Sequence, residues 1–223
     1  MFGLLGSGYI PMRMQLLTSG LIAIAANGQN YTYDYGMPSS HKVDVGTEWS
    51  TATADIIADI QALQDAIEDD TGVRPTRAVC SSKTWGYIKK NDTIKKSIFV
   101  LSNGQATLSN ARLNQYLQDE LQLSVVVYSK RYIDEKGNKG AFVPDDTFVI
   151  FPEGNLGTTW FGTTPEESDL MAGSGVNVSI VDTGVAVTTI PKTDPVNVET
   201  KATQITLPSF ETIDQIGILD VNP

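Results

Sequence analysis

Two residue types central to site chemistry are nearly missing from this chain. There is one cysteine, Cys80, and one histidine, His41. A single cysteine excludes an internal disulfide and every thiolate zinc cluster. A single histidine excludes sites that need two or three imidazoles, so a Ser-His-Asp arrangement would have to be built on His41 alone. Positive charge is also scarce: 16 Lys and Arg stand against 26 Asp and Glu, a formal net charge of −10. A protein that grips phosphate backbones needs clustered positive charge, and this balance argues against one. No apolar run approaches the roughly 18 residues of a membrane-spanning helix. Met1–Ala26 is apolar and ends in small residues. It lacks a basic start, and Pro11 and Arg13 interrupt it, so it does not read as a secretory signal.

The usual catalytic signatures are absent as well. There is no G-x-x-x-x-G-K-[ST], no G-x-G-x-x-G after a strand, no G-x-S-x-G and no H-E-x-x-H. Gly173-Ser174-Gly175 is too short to cradle a phosphate and reads as a turn. What remains is an ordinary globular composition, 41% hydrophobic and 19% charged over 223 residues. A chain of that length can bury a core without staples.

Periodicity divides it into helices and strands. A helix end over Met14–Leu17 closes at Gly20. Ile22–Ala25 and Tyr31–Tyr35, joined by Asn27-Gly28, read as a hairpin, because both turn residues tolerate positive φ. Tyr31, Tyr33 and Tyr35 share one face. With no Lys or Arg interleaved, they are expected to pack on a neighbouring layer rather than stack nucleic-acid bases. Ile56, Ile60, Leu63 and Ile67 form the core stripe of the strongest helix, capped at Ser50 or Thr51 and closed by Gly72. Its other side carries Asp55, Asp59, Asp65, Glu68, Asp69 and Asp70. Asp55 and Asp59 share a face that could hold a hard cation, against the plainer reading of a solvated acidic face.

Arg74–Cys80 reads as a strand ending in a buried thiol. The helix opening at Ser81-Ser82 leaves a reactive Cys80 as the alternative. Asp92 is expected to cap Thr93–Phe99, and Ser109 to cap Asn110–Leu121. The basic residues Lys89, Lys90, Lys95 and Lys96 read as charge offsetting helix C-termini, with an acidic partner or nucleic acid as the alternative. Val125–Tyr128 is a continuous apolar run, expected to be covered on both faces. Tyr132–Ile133 and Ala141–Val143 form a second hairpin. Phe148–Phe151 is a buried strand, and strands at Thr159–Phe161, Asn177–Asp182, Val185–Ile190, Asn197–Thr206 and Gln215–Val221 complete a β-rich tail. The residues alone describe an acidic α+β protein with no cofactor or metal site.

An ordered series of short motifs goes further. It runs from Arg13-Met-Gln-Leu-Leu-Thr-Ser-Gly20 through Asp34-Tyr-Gly36, Trp49 and Ala58-Asp59-Ile60. It continues with Val127-Tyr128-Ser129, Tyr132, Phe142-Val-Pro144-Asp145-Asp146-Thr147, Leu156-Gly157, Trp160, Gly162 and Thr164-Pro165-Glu166-Glu167. It closes with Asp194-Pro195 and Leu207-Pro208. In this order the chain resembles the lambda-type tailed-phage major capsid proteins, the major capsid protein E family. The resemblance implies an α+β, Hong Kong phage-type capsid fold. A peripheral domain would be formed by 1–48 and 163–223, and an axial domain by the inserted 49–162. It implies a non-enzymatic shell subunit of a phage or prophage head that encloses DNA. Copies would arrange as hexamers and pentamers, with scaffold, portal and decoration proteins as possible partners. Its place would be the virion capsid, and the bacterial cytoplasm before assembly. An acidic wall suits such a container. The resemblance also implies an upstream arm, extended loop and spine helix, of which Pro11–Gly20 would be the last turns. A truncated chain, a decayed prophage gene and a misplaced start codon would each explain their absence, and a monomer or small oligomers rather than closed shells are expected of this chain alone. Two alternatives stay open: an encapsulin-like compartment shell, and a metal- or ligand-binding enzyme domain using the helix acids and His41.

Overall fold

Short strands of alternating side chains build the central sheet, and the helices between them cover it. The computed structural model describes residues 9–26, 29–99, 108–133, 137–164, 168, 177–182, 185–193 and 196–223. Helix α1 (Tyr9–Ser19) leads into a hairpin of β1 (Leu21–Ala26) and β2 (Gln29–Asp34). A 3-10 turn (Ser39–His41), β3 (Lys42–Asp44), α2 (Ile56–Thr71) and β4 (Arg77–Cys80) follow. Next come α3 (Ser82–Lys90), α4 (Asp92–Ile98), α5 (Asn110–Leu121) and β5 (Ser124–Val127). A second hairpin, β6 (Arg131–Ile133) and β7 (Lys139–Ala141), precedes β8 (Thr147–Phe151) and β9 (Thr159–Gly162). The chain ends with β10 (Asn177–Asp182), β11 (Val185–Thr193), β12 (Val196–Pro208), a 3-10 turn (Ile213–Gln215) and β13 (Gly217–Asp220).

Contacts divide the chain into two units, one of Ile10–Leu156 with Phe210–Pro223, the other built on Gly157–Ser209. The first holds a five-stranded sheet in the order β3-β13-β8-β4-β5. β3 runs parallel to β13 and β4 to β5, while β8 is antiparallel to both its neighbours. Phe148 pairs with Leu219 on one side and Cys80 on the other, and Val149 with Ile218 and Val79. Because strand side chains alternate between faces, Ala78, Cys80, Val125, Phe148, Ile150 and Leu219 enter the core that α2–α5 cover. Val79, Val149 and Ile218 enter a second core with Leu17, Met37, Val143 and Ile216. Gly217 lies on the helical face, where a Cβ would stand 2.6 Å from Ile67 Cδ1, so its missing side chain lets α2 approach.

Several boundaries differ from those read in the sequence. α2 begins at Ile56, and its cap is Asp55, whose Oδ1 accepts the Ala58 N–H at 3.2 Å, not Ser50 or Thr51. α4 is capped by Asn91 rather than Asp92, through Oδ1 and the Ile94 N–H at 3.0 Å. The same Asn91 ends α3 and donates to the Ala54 carbonyl. β5 is an edge strand among the described residues, not one covered on both faces: there it pairs with β4 alone, and Val126 and Val127 are exposed. Tyr31 and Tyr33 stand in solvent rather than against a layer. The Asn27-Gly28 turn lies outside the described residues. So do Gly173–Gly175 and Pro165–Glu167. β3 and β13, from opposite ends of the chain, pair with each other and continue the sheet of β8 and β4.

The second unit is a four-stranded antiparallel sheet, β10-β11-β12-β9. Trp160 faces Leu207 and Gly162 faces Ile205, so these apolar side chains fall on one face of the ladder.

Candidate functional site

Each residue singled out for chemistry has a structural task. His41 is fully buried at the end of its 3-10 turn, with Nε2 3.1 Å from Asp70 Oδ2 at the end of α2. Neither ring nitrogen makes a well-directed hydrogen bond to a described residue. Asp70 also accepts from Ser40 Oγ at 3.4 Å. The acids of α2 do not converge. Asp55 caps the helix, and Asp59 accepts the Trp49 indole N–H at 2.9 Å. Asp65 and Glu68 both hold the Arg74 guanidinium, at 2.6 and 2.5 Å. Among the described residues no three of His, Cys, Asp and Glu gather as metal ligands.

Cys80 is buried at the end of β4, and desolvation pushes its thiol up to about 12. A thiol so placed is a small apolar side chain rather than a nucleophile. Lys89 and Lys90 occupy the last turn of α3, and Lys95 and Lys96 that of α4, next to the helices' free carbonyls. Lys89 Nζ donates to Asn110 Oδ1 at 3.2 Å, and Lys95 stands 3.9 Å from Asp92. One charged cluster was not legible. Asp146, in the left-handed region at φ 65, accepts from Lys83 Nζ at 2.6 Å and from Tyr87 Oη at 3.0 Å. The bond to Asp146 holds the Lys83 ammonium above its usual range.

Three side-chain amides were missed too. Gln64 is buried, and its Nε2 donates to the carbonyls of Pro75 and Leu121. Asn91 is the shared cap described above. Asn114 binds the backbone of Val125 at both ends. Their only signal in the sequence is an amide beside a core stripe, since the partners lie far along the chain. An open polar cleft of about 410 Å³ is bounded by Thr76, Arg77, Gln118, Gln122, Ser124 and Glu153. It contains no thiol, imidazole or hydroxyl paired with a base. Among the described residues no helix is long and apolar enough to cross a membrane. The most exposed apolar side chains of the second unit are Trp160 and Val198, followed by Ile205, Phe161 and Leu207. Among the described residues, His41, Cys80 and the acids of α2 are not brought together in one site.

The family model described as phage major capsid protein E matches residues 11–221. Among curated proteins none matches. Three solved structures are similar. A prophage protein of E. coli CFT073 assigned as a capsid protein aligns with TM-score 0.71 and 16% identity, over 97% of this chain and 63% of its own. A phage-related protein of Bordetella bronchiseptica RB50 aligns with TM-score 0.55 and 12% identity, over 95% and 61%. The SrpI encapsulin of Synechococcus elongatus PCC 7942 aligns with TM-score 0.45 and 9% identity, over 96% and 61%. The chain thus spans less than two thirds of the length of each. The α+β fold expected from the motif order is the one it has in common with the prophage protein.

Proposed function

The chain belongs to the phage major capsid protein E family, and on that premise we propose that it is a structural subunit of a phage or prophage head shell that encloses DNA. The observation that carries this reading is the reach of the family match, residues 11–221 of 223. The role that the family implies is structural, and the side chains weighed for catalysis are occupied as caps, ion pairs and core.

In this reading copies associate as hexamers and pentamers through many small contacts, and the shell's stability comes from symmetry and number. Segment 49–162 is the axial part, towards the centre of each ring, and 1–48 with 163–223 the peripheral part. The exposed row Trp160, Ile205 and Leu207 supports a contact role for the second unit, since apolar side chains in a row mark interaction surfaces. The net charge of −10 supports an inner wall that repels its DNA rather than binding it. Scaffold, portal and decoration proteins are the expected partners, and the bacterial cytoplasm the place of synthesis.

The test is to purify DNA-containing heads on a density gradient from cells that carry the gene and to identify their proteins by mass spectrometry. This chain is expected as the most abundant protein of the heads. Heads that form without it, while it stays in the soluble fraction, would overturn the reading.

A further inference from the structure

We infer that the side chain of Asn114 stands in for a further strand at the open edge of the five-stranded sheet, and so keeps β5 from pairing with the same edge of a second copy. The inference rests on hydrogen bonding alone and does not depend on the shell reading.

Among the described residues β5 is the last strand of its sheet. The Ser124 N–H donates to the Thr76 carbonyl and the Tyr128 N–H to the Cys80 carbonyl, both at 2.9 Å. Even-numbered residues of the strand therefore face β4. In a parallel pair, alternate residues aim their N–H and C=O the opposite way, so Val125 and Val127 present theirs to the open side. Such a row is a template for another strand. The side chains offer little deterrent: Val126 is 52% and Val127 36% exposed, and neither is charged.

At Val125 the template is already filled. Asn114 Oδ1 accepts the Val125 N–H at 3.0 Å, and Asn114 Nδ2 donates to the Val125 carbonyl at 3.1 Å. A primary amide carries the same donor and acceptor as a peptide group, so it satisfies an edge residue as a neighbouring strand would. Only one orientation of the amide meets both backbone groups. The chain arranges this locally. Gln122, at φ 53, ends α5 and turns the chain directly into β5, which sets the helix beside the strand. Leu113 and Leu117 face the core, and Asn114, next to Leu113, reaches the strand edge. Among the described residues nothing takes the outward N–H and C=O of Val127. One guarded residue out of two outward-facing ones leaves an incoming strand a single residue to pair with, too little to hold it.

The test compares the unaltered chain with Asn114→Ala, and with Asn114→Ala combined with Val127→Lys. In Asn114→Ala the Val125 amide should exchange its hydrogen about fivefold faster, as for the loss of one ordinary hydrogen bond. Its sedimentation should show concentration-dependent association beyond that of the unaltered chain. An edge lysine opposes strand pairing, so the double variant should return to the unaltered association while the Val125 amide stays fast. Asn114→Ala that keeps its near-ultraviolet circular dichroism, sediments as the unaltered chain at every concentration and leaves Val125 exchange unchanged overturns the inference. So does association that persists in the double variant. If Asn114→Ala fails to fold, Asn114→Asp keeps the acceptor and loses the donor. It should associate more than the unaltered chain, and unchanged sedimentation and exchange there overturn the inference equally.

Discussion

Phe148, Val149 and Ile150 follow one another in β8 and all are at 0% exposure, whereas Trp160, Ile205 and Leu207 in β9 and β12 are 63%, 48% and 38% exposed. Both sets lie in ladders of regular register. The difference comes from what covers them. The five-stranded sheet carries helices on one face and a second apolar cluster on the other, so each successive side chain of β8 finds a core. The longest strand among the described residues, the 13 residues of β12, carries surface apolar residues instead. Strand length and hydrogen bonding therefore do not decide burial. A sheet buries its apolar side chains only where another layer packs on it.

Substitutions in the two sheets test this difference. Phe148→Ala should cost about 3–5 kcal/mol in urea unfolding, because it removes a ring at the centre of the helical core. A loss under ~1 kcal/mol would show that this sheet is less closely packed than its burial implies. Gly217→Ala is expected to cost about 1–3 kcal/mol, since its Cβ would meet Ile67 and Leu63 within 3 Å. An unchanged midpoint there would mean that α2 can shift away from the sheet.

The buried thiol yields a pH dependence. Cys80 titrates at about 12 in the folded chain against an ordinary 9.0. The folded state thus holds that proton more tightly. Its contribution is complete below about pH 9 and is lost as pH rises towards 12, at up to ~1.4 kcal/mol per pH unit. Cys80→Ala should flatten that part of the stability profile, and an unchanged slope would contradict the burial of β4. The smallest effect is expected at Ile205→Ala, within about 0.5 kcal/mol, as for an exposed site. A loss above ~1.5 kcal/mol would show that the row of Trp160, Ile205 and Leu207 is packed as closely as buried Ala186 on the same sheet, and would end the contrast.

Much of the fold was legible because its signals are local. The stripe Ile56, Ile60, Leu63 and Ile67 recurs every turn and is buried as read. Gly20 and Gly72 close their helices at positive φ, and Ser109 caps α5. Antiparallel strand pairs stand at both places where alternating residues read as a hairpin. Local pattern does not decide where two local signals are equivalent or where a partner is needed. Ser50, Thr51 and Asp55 are all good caps, and the choice fell to Asp55 because the segment before it folds back to bury Trp49 against Phe148. A run of valines reads alike at the centre and at the edge of a sheet, and only the strand order places β5 at the edge.

The amino-acid order alone was enough for the α+β class and for a motif order that the family match over residues 11–221 bears out. These depend on composition, on periods of two and 3.6 residues, and on the order of segments along the chain. Tertiary structure alone decided that β3 and β13 join β8 in one sheet, that Asp70 faces His41, and that the amides of Gln64, Asn91 and Asn114 close distant backbone groups. In each of these cases the free energy resides in a contact between segments far apart in the chain, and no local pattern specifies which partner arrives.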